Sequence, residues 1–376
     1  MKKGEKMDAK EIRPHFVFGP GDFIQRQMDV RGWTQNDLAE VLGLSLKTVN
    51  HLIQNKQPVT FETAQLLQEA FGISAQTWMN HEITYRKFIE GETEKQKEVK
   101  VKSPIYEFMP VAEMCKKGWL SKSKDAVELE KQVKDFWNVQ SLDFDFLKNS
   151  SNLKIACKKS DAYKQYDFYA LQCWARQAKI CAESKTAPSY NKDNLEKLYQ
   201  EMSRYTTYKN GIADFLEKLQ QCGVKFLVLE HLQKTYLDGA AFMDEENPVV
   251  VYTGRYKRID NFWFTVAHEI AHVLLHINDK QCFMDNMMEP DIDQQEDEAN
   301  ELAQRILLHQ QICNYYSSAL KYLTASKVVR GANELHINPA IILGTLAHDK
   351  KITFAQLHQF NDNPLPLIPK QYCPEF

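Results

Sequence analysis

Apolar residues recur at helical spacing over most of this 376-residue chain, and the places where that period fails mark its divisions. Segments 20–28, 34–43, 45–53, 60–72 and 74–79 each read as a short helix. Thr34 and Ser45 stand where caps open helices, and Gly43 stands where one closes. Two short helices joined by about three residues predict a helix-turn-helix, and the remaining three close a five-helix domain. Residues 89–103 are charged and nearly without apolar positions, so they predict a domain boundary, whether as linker or as solvated helix extension. Helical spacing returns at 112–120, 126–137 and 166–176, where Trp119, Trp137, Tyr169 and Trp174 read as core. The β-branched runs 224–229 and 249–253 predict two strands of a small sheet. Segment 332–346 predicts two helices separated at Pro339, and the tail 363–369 is too proline-rich for helix and is expected to lie extended on the surface. The expected fold is α+β and mostly helical: a helix-turn-helix domain over 1–92, a charged linker and helical connector over 93–199, and a sheet-containing domain over 200–376.

The centre of that last domain is segment 262–276, which is apolar on nearly every side, as in a helix buried within a core. It nevertheless carries His268, Glu269 and His272, groups that are costly to bury without partners. A metal removes the contradiction. Residues four apart lie one above the other on a helix, so the two imidazoles converge on one ion, with Glu269 about 100° round and free to act on water there. A catalytic zinc centre needs a third protein ligand. His276 lies about 12 Å along the axis from His268, too far to share the ion, and reads as packing or cleft wall. Segment 294–308 is an amphipathic helix with an inner stripe of Ala299, Leu302, Ala303 and Ile306. Glu301 falls opposite that stripe and Asp297 well away from it, while Glu296 and Glu298 flank it on either side. Both remain open on geometry, and a thiolate cap from Cys282 is a further option. For the oxyanion-stabilising group, Tyr252, Arg255, Tyr256 and His309 are candidates.

Composition narrows the class. With 43% hydrophobic and 26% charged residues the chain is globular, and a net charge of -3 gives no overall polybasic signature. No apolar run follows the charged N-terminus, which predicts neither signal peptide nor membrane span. Eight cysteines scattered without a C-x-x-C pair predict a reduced, cytoplasmic protein.

The runs Asp238-Gly-Ala-Ala-Phe, Asn247-Pro-Val-Val-Val-Tyr, Phe264-Thr-Val-Ala-His-Glu-Ile-Ala-His and Glu296-Asp-Glu-Ala-Asn-Glu-Leu-Ala resemble the ImmA/IrrE family of zinc peptidases. The resemblance covers roughly 200–350 and implies a zincin-like domain. It implies Zn²⁺ held by His268, His272 and Glu298, with Glu269 as the catalytic base, and a protein substrate of the repressor or antitoxin type. One departure is Leu308-His309-Gln310, which lacks the Leu-x-Pro turn that usually ends the glutamate helix in that family.

In the first domain, Lys47 and Asn50 are three apart and should face outward together, with Leu46 and Thr48 beside them. Asn pairs with adenine, Lys with guanine or phosphate, and an apolar side chain with a thymine methyl. Segment 20–88 resembles the HigA-type antitoxin branch of the Cro/repressor family, through Thr34-Gln-Asn-Asp-Leu-Ala, Leu44-Ser-Leu-Lys-Thr-Val and Trp78. That resemblance places Gln35 on phosphate, and the expected DNA-binding set is Gln35, Ser45, Leu46, Lys47, Thr48, Asn50 and Lys56. Nine Lys or Arg against seven Asp or Glu over 1–60 leave only +2, so a double-stranded operator is expected to need a homodimer. The combined expectation is a DNA-binding regulator joined to a zinc endopeptidase. The competing one is a toxin-antitoxin regulator whose peptidase-like domain senses or binds a partner, such as a toxin.

Overall fold

The computed structural model describes residues 18–145, 147, 168–277, 292–317, 320, 323–353, 360 and 362–374. The chain forms two compact units, one ending at Lys100 and one beginning at Val101.

The first unit is built of α1 (Pro20–Arg31), α2 (Gln35–Leu42), α3 (Leu46–Ile53), α4 (Phe61–Phe71) and α5 (Ala75–Glu90). Each turn is fixed locally. Thr34 and Asp37 form a reciprocal capping box, Ser45 accepts from the Thr48 amide at 3.1 Å, and Thr60 and Ser74 cap the next two helices. Gly43 takes φ 66° after α2, and Asn55 takes φ 56° after α3, the left-handed conformation that Asn tolerates. Ile24, Leu38, Val49, Leu52, Leu67 and Trp78 fill the core. Gly21 lets α1 meet the end of α3, because a Cβ there would stand 2.3 Å from the Ile53 carbonyl oxygen. The stretch 89–103, expected as linker or helix extension, is largely helical: α6 (Glu94–Phe108) follows the break at Gly91, and the division between the units falls within it.

The second unit has a three-stranded sheet at its middle, in the order β1 (Lys225–Val228), β3 (Asn247–Tyr252), β2 (Gly239–Asp244). β1 and β3 are parallel, and β2 and β3 form an antiparallel hairpin. Alternation sorts the side chains. Phe226, Ala241, Val250 and Tyr252 join the core on one face, while Leu227, Phe242, Val249 and Val251 join a second core on the other. Both faces are buried, which is why the strands read as continuous apolar runs.

The second core is supplied by α6, α7 (Val111–Lys116), α8 (Ala126–Trp137) and α9 (Phe168–Glu183), with Trp119 and Trp174 inside it. Helices α6 to α9, which fall within the stretch 93–199 expected as linker and helical connector, therefore pack on the sheet itself. The first core holds α10 (Lys192–Gln200), α11 (Met202–Tyr205), α12 (Gly211–Gln221) and α13 (Ile259–Leu275). With them pack α14 (Ile292–Ile306), α15 (His309–Tyr316), α16 (Ala325–Leu335) and α17 (Pro339–His348). The tail departs from expectation. It forms two single 3₁₀ turns, Leu365–Leu367 and Lys370–Tyr372, and buries Ile368 and Tyr372 in the first core.

Candidate metal centre and nucleic-acid face

Helix α13 is buried along most of its length, and Tyr199 donates to its Ala267 carbonyl at 2.8 Å, fixing the turn just before His268. The two imidazoles meet as their spacing requires, with His268 Nε2 and His272 Nε2 3.0 Å apart. Glu296 of α14 completes the group, its carboxylate oxygens 3.3 Å from His268 Nε2 and 3.2 Å from His272 Nε2. Tetrahedral donors about 2.0–2.1 Å from one ion lie about 3.4 Å from one another. The three side chains fit that requirement.

Glu298, expected as the third ligand, is elsewhere. Its side chain is 46% exposed and accepts from His276 Nε2 at 3.1 Å. The reason lies in how α14 rolls onto α13. Leu302 is only half-buried, whereas Leu307 is buried and Asn300 faces partly inward, so the packed stripe runs 296, 299/300, 303, 306/307. Glu296 extends that stripe and Glu298 does not. The signal available in the sequence was Leu307, four residues beyond Ala303.

His276 is more than cleft wall. Its Nδ1 lies 3.0 Å from His272 Nδ1, so Glu298, His276 and His272 form a chain. A carboxylate only accepts, so His276 Nε2 donates to Glu298. Its Nδ1 is then the acceptor, His272 Nδ1 donates to it, and a lone pair is left on His272 Nε2 facing the cluster. Burial, outweighing the opposing pull of the Glu296 carboxylate, lowers His272 to about 4 and keeps it neutral. Burial alone would raise the Glu296 carboxyl, but the facing rings of His268 and His272 hold it at about 2.

Glu269 stands beside this group without joining it. It is buried, and burial first, then the charges of Glu296 and Asp238, push its carboxyl well above the ordinary range. Gly239, at the start of strand β2, makes its place. A Cβ there would lie 2.8 Å from Glu269 Oε1 and 2.6 Å from Thr265 Cγ2. That strand lacks the β-branched residues that would mark it in the sequence.

The oxyanion candidates separate. The Tyr252 hydroxyl is bound to the Tyr256 carbonyl, Arg255 is held by the Tyr236 carbonyl and Asp238, and His309 pairs with Asp349. Tyr256 is 38% exposed, with the guanidinium groups of Arg255 and Arg258 over its ring. Cys282 lies outside the described residues.

In the first unit, Ser45, Leu46, Lys47 and Lys56 are exposed, and Thr48 is half-buried against Ser45. Asn50 Nδ2 donates to Gln35 Oε1 at 3.2 Å. The structure thus joins the two residues read separately as base and phosphate contacts.

Residues 221–339 match the family model described as the IrrE N-terminal-like domain, and residues 24–78 match the model described as helix-turn-helix. Together the two matches support a helix-turn-helix fused to an ImmA/IrrE-type domain. The first match supports a metallopeptidase-like domain and the second supports DNA as a partner. No curated protein matches the chain. Among the described residues no helix is long and apolar enough to cross a membrane.

Proposed function

We propose that the protein is a cytoplasmic, operator-binding regulator fused to a zinc-dependent endopeptidase whose substrate is a protein of the repressor or antitoxin type. The observation that carries this reading is the convergence of His268, His272 and Glu296, with the buried Glu269 beside them and bonded to none. Two imidazoles and one carboxylate are a donor set that suits Zn²⁺. Zinc held there supplies Lewis acidity toward the scissile carbonyl and toward water. Burial makes the Glu269 carboxylate a stronger base than an exposed one, and in its ionised form it would accept a proton from the attacking water and return it to the leaving amine. Gly239 keeps strand β2 close against that carboxyl and so excludes bulk water from one side. His276 and Glu298 hold the His272 ring in its ligating tautomer.

On the DNA side, the exposed Lys47 and Lys56 serve phosphate or base, and Asn50 reads a base edge from a position set by Gln35. A homodimer on a two-fold site supplies the affinity that the small net charge of this unit does not. Cleavage of a separate DNA-associated protein is favoured over self-cleavage within 90–101, because most of that stretch is helical and a helix must unwind before its peptide bonds enter a cleft.

The test compares wild type with Glu269→Gln, each with zinc and extract of the source cells, by mass spectrometry and a promoter reporter. Proteolysis in the wild type should fall about 10²- to 10⁴-fold in the variant while zinc content is retained. If neither protein cuts anything and the reporter responds equally to both, the peptidase reading fails. A HigA-like regulator with a sensing or partner-binding domain then replaces it.

A further inference from the structure

A second group of metal-ligating side chains lies outside the site described above. His309 and Cys313 are four apart on α15, the same spacing that brings His268 and His272 together on α13. Both face Asp349, just past the end of α17. His309 Nε2 is 3.0 Å from Asp349 Oδ1, Cys313 Sγ is 3.2 Å from Asp349 Oδ2, and Cys313 Sγ is 4.0 Å from His309 Nδ1. His348 stands alongside, its Nδ1 3.7 Å from Asp349 Oδ1.

Three chemistries use cysteine, histidine and aspartate together, and the geometry decides among them. In a nucleophilic triad the imidazole bridges thiol and carboxylate so that it can take the thiol proton. Here the carboxylate bridges, the thiol donates to it directly, and burial raises the thiol further from the reactive thiolate. A purely structural polar network is satisfied without sulfur, and it offers no reason for the backbone next to it. Leu308, immediately before His309, is held at φ 60°, in the left-handed region that a γ-branched residue rarely occupies. That conformation turns the chain out of α14 and directs His309 toward Asp349.

We propose that His309, Cys313 and Asp349 form a second metal site, for a borderline-soft divalent ion such as zinc. One thiolate, one imidazole and one carboxylate are a suitable donor set, and one donor atom from each residue already lies within 4.8 Å of the other two, so side-chain rotations bring them to tetrahedral edges of about 3.4–3.6 Å. The fourth position falls to water or to His348. Binding is a proton exchange: the Cys313 S–H bond breaks, a sulfur–metal bond forms, and the proton leaves to solvent. Lys351, whose ammonium is 3.0 Å from Asp349 Oδ2, keeps that oxygen while the ion takes the other. Because α14 carries Glu296 and runs through Leu308 into α15, an ion here clamps the far end of the helix that completes the first centre.

Cobalt(II) separates the two sites, since the first offers only nitrogen and oxygen donors while the second offers a thiolate. Full-length wild type titrated with cobalt should bind two ions per chain and develop a near-ultraviolet sulfur-to-cobalt charge-transfer band. Glu296→Ala, which removes the first site, should keep the band. Cys313→Ser should lose the band and one ion while circular dichroism remains unchanged. Asp349→Asn and His309→Gln should each weaken the band-forming step at least tenfold, and affinity for that step should rise with pH as one proton is released. Absence of the band at saturating cobalt, its survival in Cys313→Ser, or its indifference to both Asp349→Asn and His309→Gln would overturn the proposal.

Discussion

The helix-turn-helix unit and the metal centre are both made of short helices set against one another, yet they are specified in opposite ways. In the first unit each helix carries its own punctuation: Thr34 with Asp37, Ser45 with Thr48, Gly43 and Asn55 at left-handed turns. These interactions span three or four residues and are visible to anyone reading along the chain. In the metal centre the decisive contact is between residues from separate helices, His272 and Glu296, and nothing local to α14 says which of its flanks will meet α13. Local chemistry defines elements, and tertiary packing assigns roles to the residues on them.

Substitutions can break that contrast, beginning with the one of greatest effect. Glu296→Ala should remove stoichiometric zinc from the first centre, whereas Glu298→Ala should leave most of it, as read by metal analysis of dialysed protein after Cys313→Ser has removed the proposed second site. Retained zinc in Glu296→Ala with loss in Glu298→Ala would return the third-ligand role to the exposed flank. Next is His276→Ala. It leaves all three donors in place but frees the His272 ring, and should weaken zinc about 10- to 100-fold in competition with a chelator. Unchanged affinity would reduce His276 to packing.

Ser45→Ala probes the locally written unit, where loss of one cap should cost about 1 kcal/mol. Hydrogen exchange at the start of α3 should quicken accordingly, with zinc content unaffected. The smallest effect concerns Asp37, whose carboxyl the backbone and side-chain hydrogen bonds of Thr34 hold below its usual value. A depressed folded value means stability that is present above the unfolded value of about 3.9 and is lost as pH falls through the folded one. Acid should therefore loosen α2 in wild type, and Asp37→Asn should flatten that dependence. An identical acid response in both would remove Asp37 from the account.

What could be read in advance follows the same division. The helix-turn-helix, its caps, the buried helix with its two histidines and the strands β1 and β3 were legible from spacing and residue type, although their parallel pairing was not. Strand β2 was not, because Gly239, Ala240 and Ala241 have little strand preference of their own and are held there by pairing with β3. The tail was misjudged for a related reason. Proline content excluded a long helix, but it could not show that Ile368 and Tyr372 would find a hydrophobic core to enter. The face of an amphipathic helix is broad, so spacing leaves Glu296 and Glu298 open; Glu298 follows only from the family resemblance, and the packing of α14 on α13 brings Glu296 to the two histidines instead.

The two-sided burial of the sheet determines where this polypeptide can be divided and still survive as pieces. A chain shortened to begin near residue 200 would keep every proposed zinc ligand and still be crippled. Leu227, Phe242, Val249 and Val251 would lie bare on one side of a three-stranded sheet, each forfeiting about 1.5–3 kcal/mol of burial. Such a fragment should associate with itself or with whatever apolar surface it meets. A division at the junction near Lys100 leaves both cores whole, so any catalytic fragment worth purifying has to carry the helices that precede the sheet, although none of them contributes an atom to the proposed zinc site.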